Sequence, residues 1–321
     1  MSKKFAFILP GQGSQYLGMC DALYRDFPQI KNRFQSAGEI LGYDIGDVIA
    51  RGPLEKLNQT EITQPAMLVA SIATWDAWLA SGGALPDYFA GHSFGEYSAL
   101  VCANAIRFED AVVLAAKRGR FMQEAVSAEH SSVCAVIGLE ENVLKQLCAK
   151  ASEDQVVQCA NINAPGQVVL AGNREAVERA SKLATNAGAK KIIPLAVSAP
   201  VHCDLMLPAA TRLAEHINKV QIETPEIPVI HNVDAKPRKD VMDIRSALIS
   251  QMASPVLWRN TIEYFVENSV TSAIECGPGK VLCSLVRRTT KSIKTYSLSD
   301  KDSIAAVIED FNYTADQGAE E

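Results

Sequence analysis

Apolar positions in this chain fall into two alternating kinds of stretch: short continuous runs, and longer segments with a period near 3.6. Phe5-Ala-Phe-Ile-Leu9, closed by Pro10-Gly11, is a run of the first kind and reads as a buried first strand. Tyr88-Phe89-Ala90 is another. Helical periodicity begins at about Tyr16 and recurs at about 29–41, 65–81, 94–103 and from Glu109 to Ala125. Strands alternating with helices predict an α/β fold with a mostly parallel sheet. The pattern then changes. Ser132–Gly138 reads as a strand and Glu141–Ala151 as a helix; Val156–Asn163 and Gln167–Ala171 are strands joined at Pro165-Gly166; Arg174–Ala187 is a helix and Lys191–Val197 a strand. That order, β-α-β-β-α-β, predicts a small ferredoxin-like domain inserted at 128–198 into a larger one formed by 1–127 and 199–321. The larger domain resumes with a helix over roughly Asp204–Asn218, a strand at 227–233, helices at about 244–252 and 257–267, and a strand at 271–275. The strand runs into Gly277-Pro278-Gly279 and a further helix, and the polar end Thr314–Glu321 reads as a frayed tail.

Composition narrows the class. The chain has 321 residues, 48% hydrophobic and 21% charged, as expected of a soluble globular protein with room for two domains. A formal net charge of −6 argues against nucleic-acid binding, which needs a basic footprint. No apolar run approaches the ~18 residues of a membrane span. The start, Met1-Ser-Lys-Lys and then a short apolar run, does not make a signal peptide. Eight cysteines without a C-x-x-C pair, mostly in apolar runs, read as buried thiols in a reducing compartment, and no zinc site is visible among five histidines. A cytoplasmic monomer is the expectation.

Candidate chemistry centres on Gly91-His92-Ser93-Phe94-Gly95, with a strand before it and helical sequence after it. In that context G-x-S-x-G is a nucleophile elbow, a sharp turn that holds a serine hydroxyl at the end of a sheet, and the larger domain is therefore expected to be α/β-hydrolase-like. The alternative is a tight turn with an incidental serine. The N–H of Phe94 falls at a helix N-terminus, where an oxyanion would find a donor. Pro10-Gly11-Gln12-Gly13-Ser14-Gln15 offers further backbone donors after the first strand. Its glycines at 11, 13 and 18 do not match a dinucleotide fingerprint, and no Gly-Lys-Ser/Thr follows.

A serine needs a base. The candidates are His92, His130, His202, His216 and His231. His92 adjoins the serine, but its side chain should point away from it; His130 lies in the loop entering the insert, and His216 falls late on a helix. His231, in a strand, could be a satisfied core histidine. His202 lies in Ser198-Ala199-Pro200-Val201-His202, at the corner where the insert returns to the larger domain, and junctions of this kind form sites. Arg118 is the other anomaly. On the helix Glu109–Ala125, positions 111, 115, 118, 122 and 125 share one face and read Ala, Ala, Arg, Met, Ala. A charge on an apolar stripe must pair with a protein carboxylate, snorkel outward, or meet an anionic ligand.

Taken together, Gly11-Gln12-Gly13-Ser14-Gln15, Gly91-His92-Ser93-Phe94-Gly95-Glu96-Tyr97-Ser98, Arg118-Gly119, Ser198-Ala199-Pro200-Val201-His202 and Gly277-Pro278-Gly279 resemble the malonyl-CoA:acyl carrier protein transacylases of bacterial fatty acid synthesis. The match runs in order over nearly the whole chain. The resemblance implies that malonyl passes from coenzyme A to Ser93 and then to the phosphopantetheine thiol of acyl carrier protein. It implies His202 as base, the N–H groups of Gln12 and Phe94 as oxyanion hole, Arg118 as the grip on the malonyl carboxylate, and the carbonyl of Gln251 as the group orienting His202. It implies no metal and no cofactor, coenzyme A entering as the substrate thioester. Phe94 stands where the family usually has leucine. The carrier is acidic, so a basic patch is expected, with Lys190-Lys191 and Arg287-Arg288 the densest candidates. Two rival functions share parts of this pattern. A serine esterase or thioesterase should show its histidine near the C-terminus, whereas over a hundred residues follow His202. A non-catalytic carrier-docking module would have no use for an intact serine and histidine.

Overall fold

The computed structural model describes residues 4–127, 129–195 and 199–317, with side chains described as far as 311. In chain order the elements are β1 (Lys4–Leu9), α1 (Asp21–Asp26), α2 (Lys31–Leu41), α3 (Ile45–Arg51), α4 (Leu54–Leu57), α5 (Thr60–Ala80), β2 (Tyr88–Gly91), α6 (Gly95–Cys102), α7 (Phe108–Ala125), β3 (Ser131–Ile137), α8 (Glu141–Ser152), β4 (Val157–Ala164), β5 (Gln167–Asn173), α9 (Arg174–Asn186) and β6 (Lys191–Pro194). Then come α10 (Leu207–Ile217), β7 (Val229–Ile230), α11 (Val241–Gln251), α12 (Trp258–Glu267), β8 (Val270–Cys276), α13 (Val281–Thr289), β9 (Lys294–Leu298) and α14 (Lys301–Gln317).

Five strands form a parallel sheet in the order β7-β2-β1-β8-β9. Its central strand is buried on both faces, which is why β1 reads as a continuous apolar run rather than an alternation. Phe5, Phe7 and Leu9 face a core shared with Trp75, Trp78, Phe89, Phe94 and Tyr97. Ala6 and Ile8 face the opposite way, toward Ile230, Trp258, Ile262, Phe265 and Val286. The register sets Leu9 beside Gly91 and Ala90 beside Ile230, so the loops leaving β1, β2 and β7 emerge side by side at the carboxyl edge. Open α/β sheets place their sites at that edge.

A second, antiparallel sheet has the order β4-β5-β3-β6 and carries α8 and α9 on one face around Val136, Leu144, Leu170 and Ala180. It is joined to the rest through backbone bonds: Ile162 N–H donates to the Val256 carbonyl at 2.8 Å, and Val256 N–H to that of Ala160 at 2.9 Å. The chain is thus a mixed α/β protein with a mainly parallel sheet and a smaller antiparallel one.

Several boundaries differ from the sequence reading. The helix read from Tyr16 begins at Asp21, and the helix read from 65 begins at Thr60, with Pro65 inside it. The strand read over 227–233 is only Val229–Ile230, and His231 follows it rather than lying within it. β9 has no apolar run, being Lys-Thr-Tyr-Ser-Leu, and owes its place to pairing with β8 from Ser272–Lys294 to Cys276–Leu298. Of the residues read as a frayed tail, 314–317 belong to α14 and 318–321 lie outside the described residues, as do 128 and 196–198. All eight cysteines are free and buried. No helix among the described residues is long and apolar enough to cross a membrane.

Candidate active site

The turn between β2 and α6 holds Ser93 at φ 52°, a left-handed conformation that a non-glycine residue adopts only when its surroundings impose it. The flanking glycines show how tightly they do so. A side chain on Gly91 would come within 1.9 Å of the Gly95 backbone, and one on Gly95 within 2.2 Å of the Leu9 carbonyl oxygen. Three hydrogen bonds fix the turn from below. His92 N–H donates to the Leu9 carbonyl at 3.0 Å, Ser93 N–H to Asn232 Oδ1 at 2.6 Å, and Gln251 Nε2 to the Ser93 carbonyl at 3.0 Å. Asn232 in turn donates from Nδ2 to the Gly91 carbonyl at 2.7 Å. Phe94 is the N-cap of α6, so its N–H points along the positive end of the helix dipole.

Ser93 Oγ lies 2.7 Å from His202 Nε2. The other ring nitrogen of His202, Nδ1, is 2.8 Å from the Gln251 carbonyl oxygen. A carbonyl only accepts, so Nδ1 carries the proton and Nε2 presents a lone pair to the serine hydroxyl. His202 is 1% exposed and itself sits at φ 59°. Burial, and then the positive charge of Arg118, push its pKa down to about 3. The imidazole is therefore neutral, and able to act as a base, through the ordinary pH range. An acid limb near the usual histidine value of ~6.5 would be expected only of an ordinary, solvated ring.

Arg118 projects from α7 into the same centre and is also 1% exposed. It neither snorkels nor meets a carboxylate: no ion pair to Arg118 is formed among the described residues. Its Nη2 donates to Gln251 Oε1 at 3.0 Å and lies 3.5 Å from Ser93 Oγ. Nη1 lies 3.2 Å from Met122 Sδ, and Nε has no partner. The guanidinium carbon stands 5.8 Å from the ring centroids of Phe94 and Tyr97, which stack on each other. Aromatic faces stabilise a cation without consuming its hydrogen-bond donors. The result is a buried fork with unspent donors beside the serine.

Of the other residues singled out from sequence, Gln12 donates from Nε2 to Thr60 Oγ1 at 3.2 Å. Its neighbour Gly11 presses on the elbow: a side chain there would meet the His92 carbonyl at 2.5 Å and stand 3.7 Å from the Phe94 nitrogen. His92 Nε2 pairs with Asn163 Oδ1 at 2.8 Å, and its ring packs edge-on to Trp258, away from Ser93 Oγ. His130 is exposed beside Ser127, and His216 stacks on Phe121. His231 is fully buried, with Nδ1 2.7 Å from Glu96 Oε1. Lys190, Lys191, Arg287 and Arg288 are all exposed.

Asn232, Asn163, Glu96 and the side chain of Gln251 were not anticipated. Glu96 was legible in principle: the one charged residue of an otherwise uncharged helix raises the same question as Arg118. Nothing in the sequence marks Asn232, in the turn after β7, or Asn163, near the end of β4.

Comparison with known proteins agrees with this geometry. Residues 6–314 match the acyl transferase domain family. The malonyl CoA-acyl carrier protein transacylase of Salmonella typhimurium is 45% identical over 305 residues, covering 95% of this chain and 99% of that protein. That of Bacillus subtilis is 44% identical, covering 95% and 96%. Among solved structures, the malonyl CoA-acyl carrier protein transacylase of Coxiella burnetii superposes with a TM-score of 0.95 at 45% identity, covering 96% of this chain and 98% of that one. A malonyl-transacylase solved in complex with its type II PKS acyl-carrier protein superposes with a TM-score of 0.94 at 43% identity, covering 96% and 99%. Matched over nearly its full length by family, sequence and structure, the chain belongs to the acyl transferase domain family, among its malonyl CoA-acyl carrier protein transacylases.

Proposed function

We propose that this chain transfers the malonyl group of malonyl-CoA to the phosphopantetheine thiol of acyl carrier protein, supplying the malonyl carrier for fatty acid chain elongation. The observation that carries the reading is the juxtaposition of Ser93 Oγ, 2.7 Å from His202 Nε2, with a buried arginine that forms no direct ion pair among the described residues. His202 Nε2 takes the Ser93 proton as Oγ attacks the thioester carbon. The oxyanion meets the N–H groups of Phe94 and Gln12. The C–S bond breaks and the thiolate leaves with the proton from His202. The carrier thiol then enters by the reverse sequence, its proton passing to His202 and the ester bond to Ser93 breaking. Arg118 holds the malonyl carboxylate through two parallel hydrogen bonds. The Gln251 carbonyl fixes the His202 tautomer in place of a triad acid. Coenzyme A is substrate and no metal or cofactor takes part.

On the same reading the parallel sheet is α/β-hydrolase-like and residues 128–198 form a ferredoxin-like inserted domain. The order β6-β3-β5-β4, which is 4-1-3-2 counted within the insert, supports this. The chain acts as a cytoplasmic monomer, and its exposed lysine and arginine pairs meet the acidic carrier. A hydrolase reading finds less support, because water as acceptor gains nothing from a cation beside the acyl group. The experiment supplies malonyl-CoA with and without carrier protein. Transfer predicts malonyl on the carrier and little free malonate; stoichiometric malonate release without carrier would make the chain a thioesterase.

A further inference from the structure

Behind the elbow lies a buried carboxylate that the reaction above does not use. Glu96 is fully buried in the first turn of α6 and makes three contacts. Oε1 lies 2.7 Å from His231 Nδ1, while Oε2 accepts from the Asn232 N–H at 2.9 Å and from Gln251 Nε2 at 2.9 Å. Two of these partners touch the reacting centre. Asn232 holds the Ser93 N–H, and Gln251 holds the Ser93 carbonyl, backs His202 with its own carbonyl and accepts from Arg118. The three groups assigned to the chemistry are thus each one residue away from a single carboxylate.

The route to Arg118 has a consequence of its own. Arg118 Nη2 donates to one end of the Gln251 amide, whose other end donates to Glu96 Oε2. The negative charge is held one amide away instead of on the guanidinium. It balances a buried cation, which would otherwise be very unfavourable, yet leaves donors of the fork free for a substrate. A carboxylate placed directly on Arg118 would occupy the fork and compete with an incoming acyl carboxylate.

We propose that Glu96 is a positioning residue that anchors the elbow and Gln251, and that its charge, relayed through the Gln251 amide, sets how strongly Arg118 favours an anionic acyl group over a neutral one. The inference rests on the assignment of Arg118 above. Two variants separate the hydrogen bonds from the charge. Glu96→Gln can keep every bond: its oxygen accepts from Asn232 and Gln251, and its amide donates to His231 Nδ1 once that ring moves its proton to Nε2, which has no partner here. Glu96→Ala keeps none of them.

The test is kcat and KM for malonyl-CoA and acetyl-CoA with the purified enzyme and carrier, for both variants, alone and combined with Arg118→Ala. Glu96→Ala should lower kcat on both substrates by tenfold or more, and Glu96→Gln should recover most of it. With the counter-charge gone, Glu96→Gln should raise the malonyl-to-acetyl preference by tenfold or more, the order of effect of one charge at effective dielectric ~20 over several ångströms. Arg118→Ala should erase that gain. Equal losses in Glu96→Gln and Glu96→Ala would overturn the positioning role, because the hydrogen bonds that glutamine keeps would then contribute nothing to the rate. An unchanged preference in Glu96→Gln, or a gain that survives Arg118→Ala, would overturn the charge coupling. If wild type shows no preference for malonyl, it is the assignment of Arg118 that fails, and recovery of kcat by glutamine still decides whether Glu96 positions the elbow.

Discussion

Two buried histidines flank the elbow, and their surroundings differ in one respect. His231 faces a carboxylate, Glu96, at 2.7 Å. His202 faces a backbone carbonyl on one side, the serine hydroxyl on the other, and a guanidinium nearby. A carboxylate partner ties the ring into the hydrogen-bond network behind the elbow. A carbonyl partner fixes the tautomer and leaves the basic nitrogen free, and burial, with the neighbouring cation second, keeps it unprotonated. The same side chain is structural in one place and poised for proton transfer in the other, and the difference lies wholly in what the loops around it supply. A good thiolate leaving group makes the weaker orientation by a carbonyl sufficient.

The comparison breaks most directly at the histidines. His202→Ala should slow acylation of Ser93 by ~10³–10⁶, on the scale of base removal at a serine. His231→Ala should cost far less in rate, its effect appearing as lowered thermal stability because a buried carboxylate loses a partner. Stopped-flow acylation with both variants checks this, and the reverse ranking would exchange their roles. Arg118 comes next. Arg118→Ala should cut kcat/KM for malonyl-CoA by about 10²-fold or more relative to acetyl-CoA, since each charge-assisted hydrogen bond contributes ~1.5–3 kcal/mol. Arg118→Lys should recover little, because an ammonium cannot reproduce the fork. Equal losses on both substrates would make Arg118 a residue of the fold alone.

A smaller effect sharpens the contrast through pH. Because His202 is pushed down to about 3, its neutral form persists as pH falls, so kcat/KM with acetyl-CoA should show no acid limb at the usual histidine value of ~6.5. Arg118→Ala removes the second cause of the depression and should move the limb upward. The sign for stability is the same. The unfolded ring takes its proton first, so the stabilisation from a neutral His202 is complete above ~6.5 and is lost as pH falls from there toward the folded value. A wild-type limb near 6.5 would contradict the buried, cation-flanked setting. The smallest effect is at the surface. Charge reversal at Lys190-Lys191 together with Arg287-Arg288 should raise KM for the carrier at low salt several-fold, the range of exposed pairs acting together. An unchanged KM would put carrier docking elsewhere.

What could be read from sequence follows the physics of each residue. β1 and the elbow were legible because a strand buried on both faces is continuously apolar and a strained turn requires glycines. Arg118 was legible because a charge on an apolar stripe has few solutions, although the one adopted, aromatic faces and an amide, was not among the protein partners considered. β9 was not legible because its place comes from a neighbouring strand and not from its own side chains. Asn232 and the Gln251 side chain were invisible for a similar reason. They act across 139 and 158 residues of sequence on Ser93, and no local pattern encodes a hydrogen bond of that range.

The central claim is that Ser93 is the group that carries the acyl chain. Intact mass after brief exposure to malonyl-CoA, followed by peptide mapping, tests it directly. The account predicts one malonyl group on wild type, mapped to Ser93, discharged by carrier protein and absent in a folded Ser93→Ala variant. A malonyl adduct that forms on Ser93→Ala at the native rate, or that maps to another residue, would contradict it.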